Sequence, residues 1–216
     1  MAGQTASNKI FTIPNIISFL RILVIPVFAW AYTDNRYILA LILVIFSGLS
    51  DTLDGNIARA TNQISSLGKI LDPLADKLSQ VALAVLLFIK FSGSVEIQMR
   101  RFAFVFLLFV LKEVLMLLVA LVLLLLKLRP APAAFWGKTA TVVFYVVVAV
   151  LFLAGPDVGV LANYIDWALP PWTVQILTVL TLALTFVALL SYVPDTIRQF
   201  TGRRKKGEAR EGAEEA

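Results

Sequence analysis

Long apolar segments separated by short polar connections make up most of the chain. At the ~20 residues that an α-helix needs to cross the hydrocarbon core of a bilayer, these segments predict about six transmembrane helices. The predicted spans are 15–32, 37 to about 54, 67–91, 102–126, 135–153 and 174–193. We therefore expect an all-α integral membrane protein with one transmembrane domain over residues 1–200. The charged tail at 201–216 is expected to be disordered.

Residues 9–13 precede the first span and combine Lys9 with three large apolar side chains. This composition predicts a short segment lying on the membrane surface. A secretory signal peptide is the competing interpretation, because 29–31 resembles a small-x-small cleavage site. Arg21 interrupts the apolar core that such a peptide requires, so we expect the N-terminus to be retained.

Composition narrows the chemistry that is open to this protein. The chain is 59% hydrophobic and 15% charged, which is typical of a membrane protein. It contains no cysteine and no histidine, so thiolate chemistry, thiolate-bound zinc and imidazole ligands are excluded. Any metal must be bound through oxygen, which favours Mg²⁺ or Mn²⁺. A general base must be a carboxylate, a lysine or a tyrosine.

The net charge of +5 is concentrated beside predicted membrane segments. Lys9 and the basic cluster at 198–206 place both termini in the cytoplasm by the positive-inside rule, and anionic lipid explains the cluster without nucleic acid. Arg100 and Arg101 fall on the opposite side in this topology and remain an exception. The ends of the second and third spans then face the cytoplasm.

Four aspartates interrupt the apolar pattern at these cytoplasmic ends. Asp51 and Asp54 are three residues apart, and Asp72 and Asp76 are four apart, so each pair projects from one helix face. Carboxylates at membrane depth are costly, roughly 2.5–3.5 kcal/mol each at a helix centre, and neighbouring ones repel each other. A helical hairpin that brings the four together would form an all-oxygen site for two divalent cations. Ordinary polar helix ends are the alternative interpretation.

Small and basic residues between the two pairs favour phosphate chemistry at this site. Gly55 and Gly68 would let a phosphate or a neighbouring backbone approach closely, and Arg59 offers a planar guanidinium. A divalent-cation transporter is an alternative from another functional class. It would require polar residues through the full depth of the bilayer, and the predicted spans contain few.

The spacing Asp51-x2-Asp54-Gly55-x2-Ala58-Arg59-x8-Gly68-x3-Asp72-x3-Asp76 resembles the signature of the CDP-alcohol phosphatidyltransferase family. The resemblance implies a six-helix membrane enzyme, usually a homodimer, that displaces CMP at a site open to the cytoplasm with Mg²⁺ or Mn²⁺. It implies that Asp51, Asp54 and Asp72 are metal ligands. Asp76 would be both a shared ligand and the base that deprotonates the acceptor. The residues implied in CDP binding are Asp51, Asp54, Gly55, Ala58, Arg59 and Gly68.

Two further stretches, 12–21 and 68–77, resemble phosphatidylglycerophosphate synthases and cardiolipin synthases of this family. Both branches use CDP-diacylglycerol as donor, and their acceptors are glycerol 3-phosphate and phosphatidylglycerol respectively. Lys112, Lys138 and Arg21 are candidates for binding an acceptor phosphate. Equally, Lys112 could pair with a local acid and Lys138 could reach the membrane surface. The apolar run 116–126 would suit a lipid acceptor, so glycerol 3-phosphate is preferred only narrowly.

Overall fold

A computed structural model describes residues 12–60, 68–125 and 135–191; within them, the side chains of 14, 52–60, 69–70, 120, 123–125 and 135 are not described. The helices are α1 (Ile13–Thr33), α2 (Tyr37–Ala60), α3 (Gly68–Ser92), α4 (Ile97–Phe102), α5 (Phe104–Leu125), α6 (Phe135–Ala154), α7 (Val160–Ile165) and α8, which covers Pro171–Ser191. No strand occurs in the described ranges, which confirms the all-α prediction.

The first helix begins where local sequence signals place its start. The Thr12 side chain accepts a hydrogen bond from the Asn15 amide at 3.4 Å, and a proline occupies the first turn, where its missing N–H costs nothing. Pro26 lies inside α1 without ending it, as is common in helices that cross membranes.

Four described helical segments are long and apolar enough to cross a membrane. They are Asn15–Thr33, Ile97–Val119, Trp136–Ala154 and Pro171–Ser191. The apolar part of α2, Tyr37–Asp51, is shorter, and α3 carries charged residues in its first turns. The predicted count of six spans is therefore not confirmed by length and composition. Large apolar side chains such as Leu111 and Leu190 face outward, as lipid contact requires.

Two short helices were not predicted from the sequence. The helix α4 lies immediately before α5, from which Ala103 separates it, and α7 lies within the connection from α6 to α8. Of the predicted surface segment at 9–13, only Thr12 and Ile13 are described, and Ile13 begins α1. The tail at 201–216 lies outside the described residues.

The helix bundle has a polar half and an apolar half. The helix α1 packs against α2 and α3, α3 packs against α5, and α2 packs against α6. Aromatic rings fill the apolar half, with Phe28 edge-on to Phe152 at 5.2 Å between ring centroids. The first half of α1, the second half of α2 and the first half of α3 bury polar side chains instead. Because consecutive helices run in opposite directions, these three polar segments meet at the same end of the bundle.

Candidate active site at the polar end of the bundle

Arg21 and Asp51 join α1 to α2 within this polar end. One guanidinium nitrogen of Arg21 lies 2.9 Å from Asp51 Oδ1, and the Arg21 Nε donates to the Ser50 hydroxyl at 3.3 Å. The Arg21 side chain is 1% exposed, whereas the Asp51 side chain is 25% exposed. The guanidinium therefore neutralises the aspartate from inside the bundle, and the carboxylate retains access to the surface. Arg21, a predicted ligand for an acceptor phosphate, here contacts a predicted metal ligand.

Asp72 is bound from α1. The Ser18 hydroxyl donates a hydrogen bond to Asp72 Oδ1, and Ser18 is fully buried. Ser18 lies one helical turn before Arg21, so both side chains project from the same face of α1. One face of α1 thereby contacts aspartates on both α2 and α3.

Both carboxylate oxygens of Asp76 are engaged by side chains of α3. The Gln80 amide donates to Oδ1 at 2.6 Å, and the Lys77 ammonium lies 3.0 Å from Oδ2. Gln80 is four residues after Asp76, a spacing that places both side chains on one helix face. The carboxylate is thus oriented by an amide and paired with an adjacent cation.

A chain of charges, buried at its α5 end, connects Asp76 to α5. Lys77 Nζ lies 3.0 Å from Glu113 Oε2, and the Lys112 ammonium pairs with Glu113 Oε1. Lys77 Nζ and Glu113 Oε2 are at ion-pair distance, but their geometry does not meet that of a hydrogen bond. Glu113 is 2% exposed and serves both cations. Lys112 therefore contacts a local acid, whereas Lys138 is exposed on α6.

Tyr145 enters the polar end from α6 and was not identified from the sequence. Its ring lies against Gly48, where an added Cβ atom would be 2.9 Å from both Cβ and Cγ of Tyr145. Gly48 is three residues before Asp51 on α2. The missing side chain at Gly48 thus forms a notch that admits the tyrosine ring beside the carboxylates.

The predicted site residues are only partly described. Asp54, Gly55, Ala58 and Arg59 belong to α2, but their side chains lie outside the described residues. Gly68 is buried and begins α3. Among described side chains, no group of three or more acids is close enough to hold a metal ion. The four-aspartate site therefore stays a prediction.

Three residues that contact the aspartates, Ser18, Lys77 and Gln80, were not predicted as site residues from the sequence. Ser18 and Lys77 stand inside the stretches that resemble known enzymes, and Gln80 has helical spacing to Asp76. The four-residue spacing from Asp76 could have identified Gln80 as a neighbour of that carboxylate. The Ser18–Asp72 contact spans more than fifty residues and has no local signal, because it depends on how α1 packs against α3.

The chain is similar to proteins of known family. A family model described as CDP-alcohol phosphatidyltransferase matches residues 11–187. This range contains every described helix through α7 and most of α8, so the match covers the bundle together with its polar end.

Individual relatives match a shorter part of the chain. A cardiolipin synthase (CMP-forming) of Streptomyces coelicolor is 42% identical over 81 residues, covering 35% of this chain and 38% of that protein. A CDP-diacylglycerol–glycerol-3-phosphate 3-phosphatidyltransferase of Aquifex aeolicus is 44% identical over 66 residues, 31% of this chain and 37% of that protein. A human cardiolipin synthase (CMP-forming) is 46% identical over 69 residues, 32% of this chain and 23% of that protein. The matched segment thus spans well under half of each relative.

Proposed function

The chain belongs to the CDP-alcohol phosphatidyltransferase family, and on that premise we propose that it is a membrane enzyme transferring a phosphatidyl group from CDP-diacylglycerol to an alcohol, with release of CMP. One structural observation carries the proposal. Asp51, Asp72 and Asp76 come from two helices and are each held by a buried or adjacent polar partner at one end of the bundle. Oriented carboxylates can supply the general base of a phosphoryl transfer in a chain without histidine or cysteine.

We propose that Asp51, Asp54, Asp72 and Asp76 bind two Mg²⁺ or Mn²⁺ ions. The donors are hard carboxylate oxygens, which fits these cations and not softer ones. Bound there, such ions would offset phosphate charge and acidify the acceptor hydroxyl. The chain supplies part of the compensating charge itself, because Arg21 and Lys77 lie beside two of the aspartates.

Asp76 is proposed as the general base. Its carboxylate accepts the proton of the acceptor hydroxyl, while Gln80 fixes its orientation and Lys77 pairs with its second oxygen. The acceptor oxygen forms a bond to the lipid-bearing phosphorus. The bond between that phosphorus and the oxygen of CMP breaks, and CMP leaves with the electron pair. Arg59 and the small residues Gly55, Ala58 and Gly68 are proposed to surround the CDP group.

For the acceptor we propose phosphatidylglycerol, with glycerol 3-phosphate as the second candidate. The narrow preference for glycerol 3-phosphate depended on Lys112 and Lys138 binding its phosphate. Since Lys112 is paired with buried Glu113 and Lys138 is exposed, that preference is weakened. The names of the Streptomyces and human relatives agree with a lipid acceptor, and that of the Aquifex relative with glycerol 3-phosphate.

We further propose that α2 and α3 also cross the membrane, giving six spans, and that the protein is a homodimer in the cell membrane. These helices have 24 and 25 residues. At 1.5 Å per residue each is about 36–38 Å long, enough for the ~30 Å hydrocarbon core. The polar end and both termini are proposed to face the cytoplasm.

The reaction is tested with purified protein, CDP-diacylglycerol and Mg²⁺, supplied with either phosphatidylglycerol or glycerol 3-phosphate. We expect CMP release with phosphatidylglycerol, and a product from glycerol 3-phosphate alone would reverse the acceptor assignment. Asp76→Asn should lower turnover by at least about 100-fold, the usual contribution of a general base. Asp34→Asn, at an exposed aspartate paired with Arg36, is the matched control and should retain activity. Substantial turnover by Asp76→Asn would remove this residue as the base.

A further inference from the structure

Tyr145 carries a buried hydroxyl that the proposed reaction does not yet use. The residue is 6% exposed, and among the described residues its hydroxyl oxygen has no hydrogen-bond partner. Leaving a buried donor without a partner costs free energy, and most buried hydroxyls in proteins are satisfied. Phenylalanine would fill the same volume without this cost. Packing therefore explains the ring of Tyr145 but not its oxygen.

The ring is fixed in place by its neighbours. It meets the Phe144 ring edge-on at 5.7 Å and lies in the notch at Gly48. The close approach to α2 leaves the ring little freedom to turn its hydroxyl toward the surface. The hydroxyl is therefore held inside the polar end of the bundle.

The surroundings of this hydroxyl are the charged residues of the candidate active site. Asp76, Asp51 and Arg21 are close enough to act electrostatically on the phenol. These three come from α3, α2 and α1, and the ring contact at Gly48 lies one helical turn before Asp51 on α2. Ser47 lies beside it, but the two hydroxyls do not meet hydrogen-bond geometry.

We propose that Tyr145 contacts the substrate, its hydroxyl donating a hydrogen bond to a phosphate oxygen bound between Asp51 and Asp76. A phenol offers one O–H donor, whereas ionised carboxylates only accept hydrogen bonds. The phenol can therefore donate a hydrogen bond to a phosphate oxygen, which the carboxylates cannot do. The inference rests on the proposed function, because it requires a phosphate-bearing substrate at this site. A donor of this kind acts most strongly where negative charge increases during the reaction.

The test compares Tyr145→Phe with wild type in the CMP-release assay and in thermal unfolding. We expect kcat/KM to fall about 10- to 100-fold, as for loss of a hydrogen bond to a charged group. The unfolding temperature should stay unchanged or rise, because the removed hydroxyl has no hydrogen-bond partner in the part of the chain that the structure describes. An effect on KM for CDP-diacylglycerol alone assigns the contact to the donor phosphate. An effect on KM for the acceptor alone assigns the contact to the acceptor.

Tyr32→Phe is the matched control. The Tyr32 hydroxyl is also buried, but it donates to the Val158 carbonyl at 3.2 Å in the apolar half. This variant should lose thermal stability and keep its activity. Tyr145→Phe with activity within twofold of wild type would refute the inference while leaving the proposed function intact. Lower stability of Tyr145→Phe with unchanged kcat/KM would also refute it, since that result indicates a structural hydrogen bond. A wild-type protein that releases no CMP would refute the proposed function and the inference with it.

Discussion

Replacing Arg21 with methionine separates two roles for this residue. The sequence made Arg21 a candidate for binding an acceptor phosphate, whereas in the structure its guanidinium contacts Asp51 at 2.9 Å and the Ser50 hydroxyl at 3.3 Å. Methionine keeps much of the length of the side chain and removes the charge and the donors. We expect Arg21→Met to destabilise the fold, because a buried cation that pairs α1 with α2 is lost.

The expected magnitude follows from burial. Removing one partner of a buried ion pair costs about 3–5 kcal/mol. The Arg21 side chain is 1% exposed but the Asp51 side chain is 25% exposed, so water can solvate part of the carboxylate that remains. We therefore expect a loss at the lower end, about 3 kcal/mol, or roughly 100-fold in the unfolding equilibrium. Asp51→Asn added to Arg21→Met should recover about 2 kcal/mol, because it removes the charge that Arg21 compensated.

The assay is unfolding in mixed detergent micelles, followed by tryptophan fluorescence from the four native tryptophans. Arg36→Met is the control, since the exposed Arg36–Asp34 pair at 2.7 Å should contribute less than about 1 kcal/mol. The free energy of unfolding of Arg21→Met could instead lie within about 0.5 kcal/mol of wild type, which is the usual range for a surface substitution. That result would refute a stabilising Arg21–Asp51 ion pair. A rise in KM for the acceptor at unchanged stability would restore the phosphate-binding role.

Two other substitutions test the packing and the charges around the site. Gly48→Ala should destabilise by about 1–3 kcal/mol, because its Cβ would meet Tyr145 at 2.9 Å. In the Tyr145→Ala background, Gly48→Ala should be neutral or stabilise the protein by up to about 1 kcal/mol in thermal unfolding, because only the higher helix propensity of alanine then contributes. An equal loss of stability in both backgrounds would contradict the steric contact between position 48 and the Tyr145 ring. Glu113→Gln should cost about 3–5 kcal/mol in unfolding, because it leaves buried Lys112 and partly buried Lys77 without their shared anion. Glu96→Gln, at an exposed acid, is its control, and equal stability of the two variants would show that the buried chain of charges contributes nothing.

The helices were largely predictable because their signals are local. Apolar runs and the polar connections placed the helix starts within a few residues, as at α2, which begins at Tyr37. The short helices α4 and α7 carry no periodic pattern of their own and were missed. The count of membrane spans was less predictable, since Asp72, Asp76 and Lys77 lower the hydropathy of α3 without shortening the helix.

The acids of the candidate site were also evident from the sequence, because carboxylates in an apolar chain are costly and their helical spacing is visible in one dimension. Family membership followed from the same spacing and agrees with the match over residues 11–187. What the spacing left open was which cations accompany the acids. Neighbouring aspartates require positive charge, and the spacing does not distinguish bound metal from basic side chains on other helices as its source.

Only the tertiary structure decided those partners. Arg21 contacts Asp51 and Ser18 contacts Asp72 from α1, and Tyr145 packs against Gly48 from α6. Each contact depends on helix packing between residues far apart in the chain. Long side chains such as Arg21 can satisfy several anions equally well, so their sequence position does not select one. The fold selects one by burial, because a charge inside the bundle must be paired with whatever group the neighbouring helix presents. The sequence alone therefore determined the helices and the acids, and the packing of α1, α3 and α6 determined which side chains surround them.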